Sequence, residues 1–535
     1  MAYLADFEIL IGWDEDYSYS GTYDNVTADV ISVRTLIGFA KPWDRFPRTG
    51  TATLTLDNSD RNAHGIRGLY SPDNAASPLY GYNEPYKRVV IRATWDSVTY
   101  PIFMGYIEAV EPLENRRVKI QCVDGVDVLR QVGISIPTQQ DIRSDTLIRL
   151  LTEMPVPPEA VERSCQLDDP IFGILDSTTV LPDLDSGYDM DEGIFVADYA
   201  GDTWRPGQTK IAAAIEEITT AEWGRFWVAP DGKYVFWNRS HEPEDLTNHL
   251  SINGELIDLD LTHSAKGVIN KCRVQFTPRR VGPSNTVLAR SDKAGGKINP
   301  GQTKTIRLEL VNELGGTNIG VLSVKKPEAG IDYHVSSKRN GQGYDMTGVV
   351  DVDMEVSGSS IELTFTHTGT RHGSKSHYTQ PAQISKIQVR GTPLYQYDTV
   401  EVVATDPAGQ AHPKEKLIHI PLINDADFAQ LLAEQQIQLL KDVQTFINSI
   451  TLANADATIY EQMLTRGIMD LIDITEPDSG LDAKEVRIIS IGHTIEGGWH
   501  TVRWGLEPRA YSGRVLLLDT VGYSELDENA YLGAF

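Results

Sequence analysis

Apolar and polar residues alternate strictly over short stretches near the start of the chain. In Thr51–Leu56, TATLTL, the alternation sets Ala52, Leu54 and Leu56 on one face. In RRVKIQCVDG it sets Val118, Ile120 and Cys122 inward and Lys119 and Gln121 outward. A period of two with one apolar face predicts half-buried strands, and turn signals such as DNSD and SPDN separate them. The spacing suits an antiparallel barrel or sandwich over residues 1–130.

The period then changes. SDTLIRLLTEM, Ser144–Met154, predicts a short helix with Ser144 placed to cap it and MPVPP to end it. Val156–Thr203 has little period and many Asp, Pro and Gly, and reads as long loops. GQTKIAAAIEEITTAEW, Gly207–Trp223, predicts a helix with Ile211, Ala214, Ile215 and Ile218 in one stripe. Directly after it, EWGRFWVAPDGKYVFWNRS gathers three tryptophans, two phenylalanines and a tyrosine around one APDGK turn. Such rings can stack on sugars or single-stranded nucleic acid, or form the packed edge of a small sheet. Phe226 and Trp227 fall on opposite faces of their strand, as do Phe236 and Trp237. Rings on both faces predict burial under the preceding helix on one side and a second contact on the other.

Strands resume at Asp258 with LIDLDL and VINKCRVQF. Around Gly282 the composition shifts to Ser, Asn, Gly and Lys, and KTIRLELV, GVVDVDMEV and SSIELTFTHT follow as a self-contained β-module. DADFAQLLAEQQIQLLKD, Asp425–Asp442, predicts a helix capped by Asp425 with Phe428, Leu431, Leu432 and Leu439 near one face. The pattern ends in VRIISIGHTIEGGWHTVRWGLEP, a hairpin turning at Gly497–Gly498, and then an extended tail. A strand-rich first unit is echoed by a later strand-rich unit that carries a helix.

Charge narrows the function classes. Of 535 residues, 75 are acidic and 48 basic, a formal net charge of -27, which argues against a protein that grips phosphate backbones. Cys122, Cys165 and Cys272 are scattered and odd in number, so neither a disulfide framework nor a zinc site is expected. The start, MAYLADFEILIGWDED, lacks a basic n-region, and no run reaches the ~18 apolar residues of a membrane helix.

Motifs of chemistry fail on inspection. HEPED, His241–Asp245, has Asp where a second zinc-binding His belongs. AGGKINPG lacks the first glycine of a phosphate loop and has Ile after the Lys. His367, His372 and His377 match no common metal spacing and read as a solvated loop. Asp183, Asp185, Asp189, Asp191 and Glu192 resemble a calcium loop, but Tyr188 replaces its glycine and Ile194 its last carboxylate. No catalytic, cofactor-binding or metal residue is therefore assigned.

The series of segments resembles the tail-tip or baseplate hub proteins, often called minor tail proteins, of long-tailed bacteriophages and gene-transfer agents. The N-terminal pattern is VTADVISVRTLIGFA, GTATLTLDNSDR, ASPLYG and PIFMGYIEAVE; the central one is IAAAIEEITTAEWGRFWVAPDGKYVFWNR. GVINKCRVQFTPR, SKIQVRGTPLY and LTRGIMDLIDITEPDSGLDAKEVRIISIGHTIEGGWHTVRWGLEP complete it, in order. Many hubs also carry a peptidase or lysozyme-like extension or fibre-like repeats; neither follows here, so wall digestion and fibre formation are not expected.

The resemblance implies a mainly β fold with a few helices: two tail-tube-like β-barrel domains, a small α/β domain and an inserted β-sandwich module. The expected division is a first barrel at 1–130, a mixed domain at 131–250, and a second barrel from 251–282 and 386–510. The peripheral module covers 283–385 and a tail 511–535. The implied role is structural: a homotrimer at the distal end of a tail, in a virion assembled in the bacterial host cytoplasm. It would cap the tail tube, match sixfold to threefold symmetry and form a channel for DNA. Implied partners are tail tube, distal tail, tape-measure and tip or fibre proteins, with no cofactor, no specific nucleic acid and no membrane insertion. The rival reading is a carbohydrate-binding or depolymerase subunit, supported by the module and the aromatic hairpin.

Overall fold

The structure, a computed structural model, describes residues 3–14, 19–134, 136–153, 187–204, 208–245, 247–254, 256–265, 267–291, 295–310, 320–357, 360–369, 380–406 and 414–509. The N-terminal alternation forms strands β1 (Asp6–Ile11), β2 (Val30–Gly38), β3 (Thr51–Asp57), β4 (Arg88–Trp95), β5 (Val98–Leu113) and β6 (Arg117–Val123). Ala52, Leu54, Leu56, Val118, Ile120 and Cys122 are all buried. Asp124 then caps helix α1 (Gly125–Gln131), its carboxylate accepting from the Val126 amide at 3.1 Å.

Strand β7 (Gln139–Arg143) leads into α2 (Ser144–Thr152). Ser144 does not cap this helix: Arg143 occupies the cap position with no side-chain bond, and the Ser144 hydroxyl donates to Glu222 at 2.6 Å instead. The stretch expected to be loops contains β8 (Tyr188–Met190) and β9 (Val196–Ala200). These are three and five residues long, too short for a period to register. Next come α3 (Ile211–Glu222), the hairpin β10 (Arg225–Val228) and β11 (Tyr234–Trp237), and the single turn α4 (His241–Glu244).

Strands β12 (Asn248–Asn253), β13 (Asp258–Ser264) and β14 (Lys271–Phe276) follow. The module comprises β15 (Arg279–Val281), β16 (Thr286–Ser291), β17 (Gly296–Ile298), β18 (Thr303–Glu309) and β19 (Gly320–Val324). It continues with β20 (Tyr333–Ser336), β21 (Val350–Ser357), β22 (Ser360–His367) and β23 (Ala382–Gln396). The chain closes with β24 (Val400–Thr405), β25 (Glu415–His419), α5 (Ala426–Leu440), β26 (Gln444–Ala453), α6 (Ala457–Thr465), β27 (Leu471–Glu476), β28 (Leu481–Glu496) and β29 (Trp499–Pro508). The fold is thus mainly β with a few helices. Asp425 caps α5 as expected, accepting from the Asp427 amide. The stripe that α5 buries is Ala429, Leu432, Ala433, Gln436 and Ile437, rotated from the expected one because two small residues allow close approach to the sheet beneath.

One twelve-stranded sheet, ordered β1-β4-β5-β6-β3-β2-β28-β29-β26-β13 with β27 and β12 branching from β28, holds two units built alike. In the first, β2 pairs β3, β3 pairs β6, β6 pairs β5 and β5 pairs β4. In the second, β13 pairs β26, β26 pairs β29, β29 pairs β28 and β28 pairs β27. The sequence order of the matched strands is the same in both. The long strands β5 and β28 occupy matching places, and each has 16 residues.

Each unit is closed by one bent run of chain. Asp24–Thr27, which leads into β2, bonds β1: the Ile11 amide donates to Asp24 O at 2.8 Å and the Val26 amide to Ile9 O at 3.0 Å. In the second unit β12 pairs β27 while β13 pairs β26, and residues 254–257 between them span at most about 18 Å. Among the described residues the second unit has no counterpart of β1, and β12 lies directly and in parallel against β27. A shared core runs through both units, including Leu54, Ile91, Phe103, Ile120, Ile450, Ile472, Ile488 and Trp504.

A second core gathers α1, α2, α3, the hairpin, the sheet β24-β14-β25 and α5. This differs from the expected division. Cys272, Val274, Phe276 and Ala404 face this second core, so 271–276, 400–406 and 414–440 pack with the mixed region and not within the second barrel. The second unit is drawn instead from 248–254, 256–264 and 444–508. The module has its own core, and its six-stranded sheet is organised around β23 and faces the sheet β18-β22-β21. It reaches Arg279 and Gln396, beyond the expected limits, because β15 pairs the far end of β23.

Candidate functional site: the junction of the two units

Among the described residues a single strand pair joins the units. β2 runs antiparallel to β28 from Ser32 opposite Glu496 to Gly38 opposite Ser490. Gly38 is required at its end. Its φ is +98°, and a Cβ there would lie 2.3 Å from Ile489 O. The Phe39 amide donates to that same oxygen at 2.7 Å. The His493 amide donates to Thr35 Oγ1 at 3.3 Å, so the seam is stitched by side chains as well.

The aromatic hairpin lies behind this seam and divides the two cores. Trp227 and Val235 belong to the core shared by the units, and Trp237 packs against it. Phe226, Val228, Tyr234 and Phe236 belong to the second core together with Ile211, Ala214, Ile215 and Ile218 of α3. Phe226 stacks on Phe46 with ring centres 5.7 Å apart, and Trp227 meets Phe39 at 6.2 Å. Both faces are consumed by packing. The rings that suggested a ligand platform are therefore a wall between two cores.

Buried charges fasten that wall to the last strand. Arg225 donates to Glu507, Glu242 and the Asp44 carbonyl. The Trp43 amide donates to Glu507 Oε2 at 2.9 Å. Arg487, fully buried, donates to the carbonyls of Met469, Glu242 and Asp245 at 2.7–2.8 Å. Burial would push the Glu242 carboxyl up, but Arg225, Arg45 and Arg487 outweigh it and hold it below the ordinary range. Burial, with Arg225 beside it, pushes the Arg45 guanidinium down to about 10, and its charge lies 4.1 Å from the Trp223 ring centre. Every member joins a different segment, so the cluster fixes the hairpin, α4, β28 and β29 in one arrangement. Sequence reading missed these residues. Arg225 in GRFWV and Arg487 in EVRII are single charges within apolar runs, and that was the available signal.

The motifs singled out in the sequence take structural places. His241 stacks on Trp237 with centres 3.8 Å apart and bonds Asp191 at 2.7 Å, and Glu242 of the same HEPED run enters the charge cluster. Glu192 pairs with Arg143. Asp183 and Asp185 lie outside the described residues. His367 is buried, not solvated, with Nε2 3.0 Å from Gln380 O, because its strand closes the module core; His372 and His377 lie outside the described residues. Cys122 and Cys272 are buried thiols, and burial pushes Cys272 up to about 11. Among the described residues no three His, Cys, Asp or Glu side chains are grouped to hold a metal, and no helix is long and apolar enough to cross a membrane.

No protein-family model matches the chain, and no curated protein sequence matches it. Solved structures of similar outline do exist. The 43 kDa tail protein of prophage MuSo2 from Shewanella oneidensis is 9% identical, covering 94% of this chain and 99% of its own, with a TM-score of 0.48. A tail protein from Neisseria meningitidis MC58 is 7% identical over 95% of this chain and 97% of its own, with a TM-score of 0.46. Prophage tail protein gp18 from Listeria monocytogenes EGD-e is 6% identical over 94% of each chain, with a TM-score of 0.38.

Proposed function

We propose that this chain is a structural protein of a phage tail, a trimeric hub that caps the distal end of the tail tube. The observation that carries the reading is the duplication: two units of one strand order, fused edge to edge by β2 and β28. A chain holding two equivalent units converts threefold symmetry into six similar positions, which a sixfold tube needs at its end. The ordered motifs of hub proteins in the sequence point the same way. In this role the ring anchors tip or fibre proteins and leaves a central path for tape-measure protein and DNA. The charge cluster fits a part that must hold its shape under load, since it locks the hairpin to the last strand of the second unit. Tube, distal tail and tape-measure proteins would be its neighbours in the virion.

Native mass measurement tests the reading directly. Three copies per ring are expected, alone or beside tube protein. Six copies in one ring, or hydrolysis of a host polysaccharide by the isolated chain, would overturn it.

A further inference from the structure

We infer that β13 of one copy pairs with the Glu108–Leu113 edge of β5 in the next copy. This rests on the trimeric reading above and names the contact that would close the ring. The internal junction consumes two edges. β2 holds β3 on one side and gives its other side to β28. β28 holds β29 on one side; on the other, β27 takes Leu481–Arg487 and β2 takes Ser490–Glu496.

Each of these edges has a counterpart in the opposite unit, and both counterparts are open among the described residues. β13 holds β26 as β2 holds β3, and no described strand pairs its outer side. β5 holds β6 on one side; on the other, β4 takes Val98–Tyr106. Ile107 is then bonded by the backbone of Tyr86 and Lys87 at 2.7–2.8 Å. From Glu108 to Leu113 no described strand follows on that side, and Leu113 is exposed. Among the described residues one chain therefore carries a paired junction and, in Asp258–His263 and Glu108–Leu113, a copy of each half with no strand on its outer side. Unpaired edges invite strand addition. Two different edges on one chain make a head-to-tail contact, which closes when the rotation is a simple fraction of a turn. A threefold rotation would join six units through six strand pairs of one kind.

The two kinds of junction differ in charge. Inside the chain, Ser32 and Arg34 oppose Glu496 and Thr494. Between copies, the same antiparallel sense brings Asp258 and Asp260, at the start of β13, toward Glu111, at the far end of the β5 edge. Lys119 lies 3.1 Å from Glu111 and Asn448 donates to Asp260 at 3.1 Å, which offsets part of the repulsion. The contact between copies is the weaker one and tightens with added salt, which screens like charges beyond about 8–10 Å.

The test uses the full-length chain with Cys165→Ser, so that only the buried Cys122 and Cys272 remain. Single cysteines at Asp258, Asp260 or Thr262 are combined with Glu108→Cys or Glu111→Cys, all on exposed or half-exposed side chains, and oxidised at low and high salt. At least one combination should give covalent species ending at three chains, formed faster at high salt, with an unchanged melting temperature. Three-copy particles that no combination cross-links would overturn this contact while leaving the hub reading intact. A particle with any other copy number would overturn both.

Discussion

Arg225 and Glu507 stand 282 residues apart in the chain and form an ion pair with both side chains shut off from water. The pair binds the aromatic hairpin to the final strand of the second unit. Removing one partner leaves the other charged and buried. Glu507→Gln is expected to cost about 3–5 kcal/mol in urea unfolding. Arg225→Met combined with Glu507→Leu should recover much of that loss. A double variant no better than the single ones would mean the pair itself, not the orphaned charge, supplies the stability.

Ile215 is fully buried at the heart of the second core, between α3 and the hairpin. Ile215→Ala should lower stability by about 2–5 kcal/mol through lost burial and the cavity it leaves. Ile215→Asp should prevent folding at ordinary temperature. Thermal melts of the purified variants check both.

His493, His500 and Tyr460 form a buried chain. The Tyr460 oxygen accepts from the Ala5 amide at 2.8 Å and lies 3.3 Å from His500 Nδ1, and His500 Nε2 lies 3.0 Å from His493 Nδ1. Burial lowers His493 to about 4, and burial with His493 alongside lowers His500 as well, so both are neutral at pH 7. Unfolded histidine titrates near ~6.5, so below that the unfolded chain binds more protons than the folded one. Stability should therefore fall as the pH drops from about 6.5 to 4, by at most about 1.4 kcal/mol per pH unit for each histidine. Denaturant midpoints at pH 7.5, 5.5 and 4.5 measure the slope. His493→Gln with His500→Gln should flatten it.

The module is inserted into a hairpin. Phe276 and Val400 are paired neighbours on β14 and β24, and Thr277 and Thr399 approach at 3.4 Å just beyond them. Replacing 278–398 by Asn-Gly should restore a two-residue turn and leave the two units folded. Asp202 would lose Arg279, its buried partner at 2.7 Å, so Asp202→Asn belongs in the same variant. Melting and the copy number of the purified particle provide the readout; an unfolded product would show that the module supports the units.

A channel of the proposed kind gains nothing by holding DNA. With a net charge of -27, the purified protein should not retain duplex DNA at physiological salt. A salt-sensitive gel shift would contradict this.

Local periodicity was enough to find the strands Thr51–Asp57 and Arg117–Val123 of the first unit, the helix Ile211–Glu222 and the hairpin after it. Alternation and stripes are set by neighbours two to four residues apart, and the burial of Leu54, Ile120 and Ile215 follows from them. Partners were another matter. The pattern of VINKCRVQF shows that Cys272 and Val274 face inward, but not which core they enter. That is decided by β24 and β25, more than a hundred residues later. The same holds for Arg225 with Glu507, and for β2 with β28, where a strand near the start meets one near the end. A strand's hydrogen-bonding edge is the same backbone whatever its sequence. Which edges meet is decided by the closure of the units and the exclusion of water from their shared core, and those exist only in the folded chain.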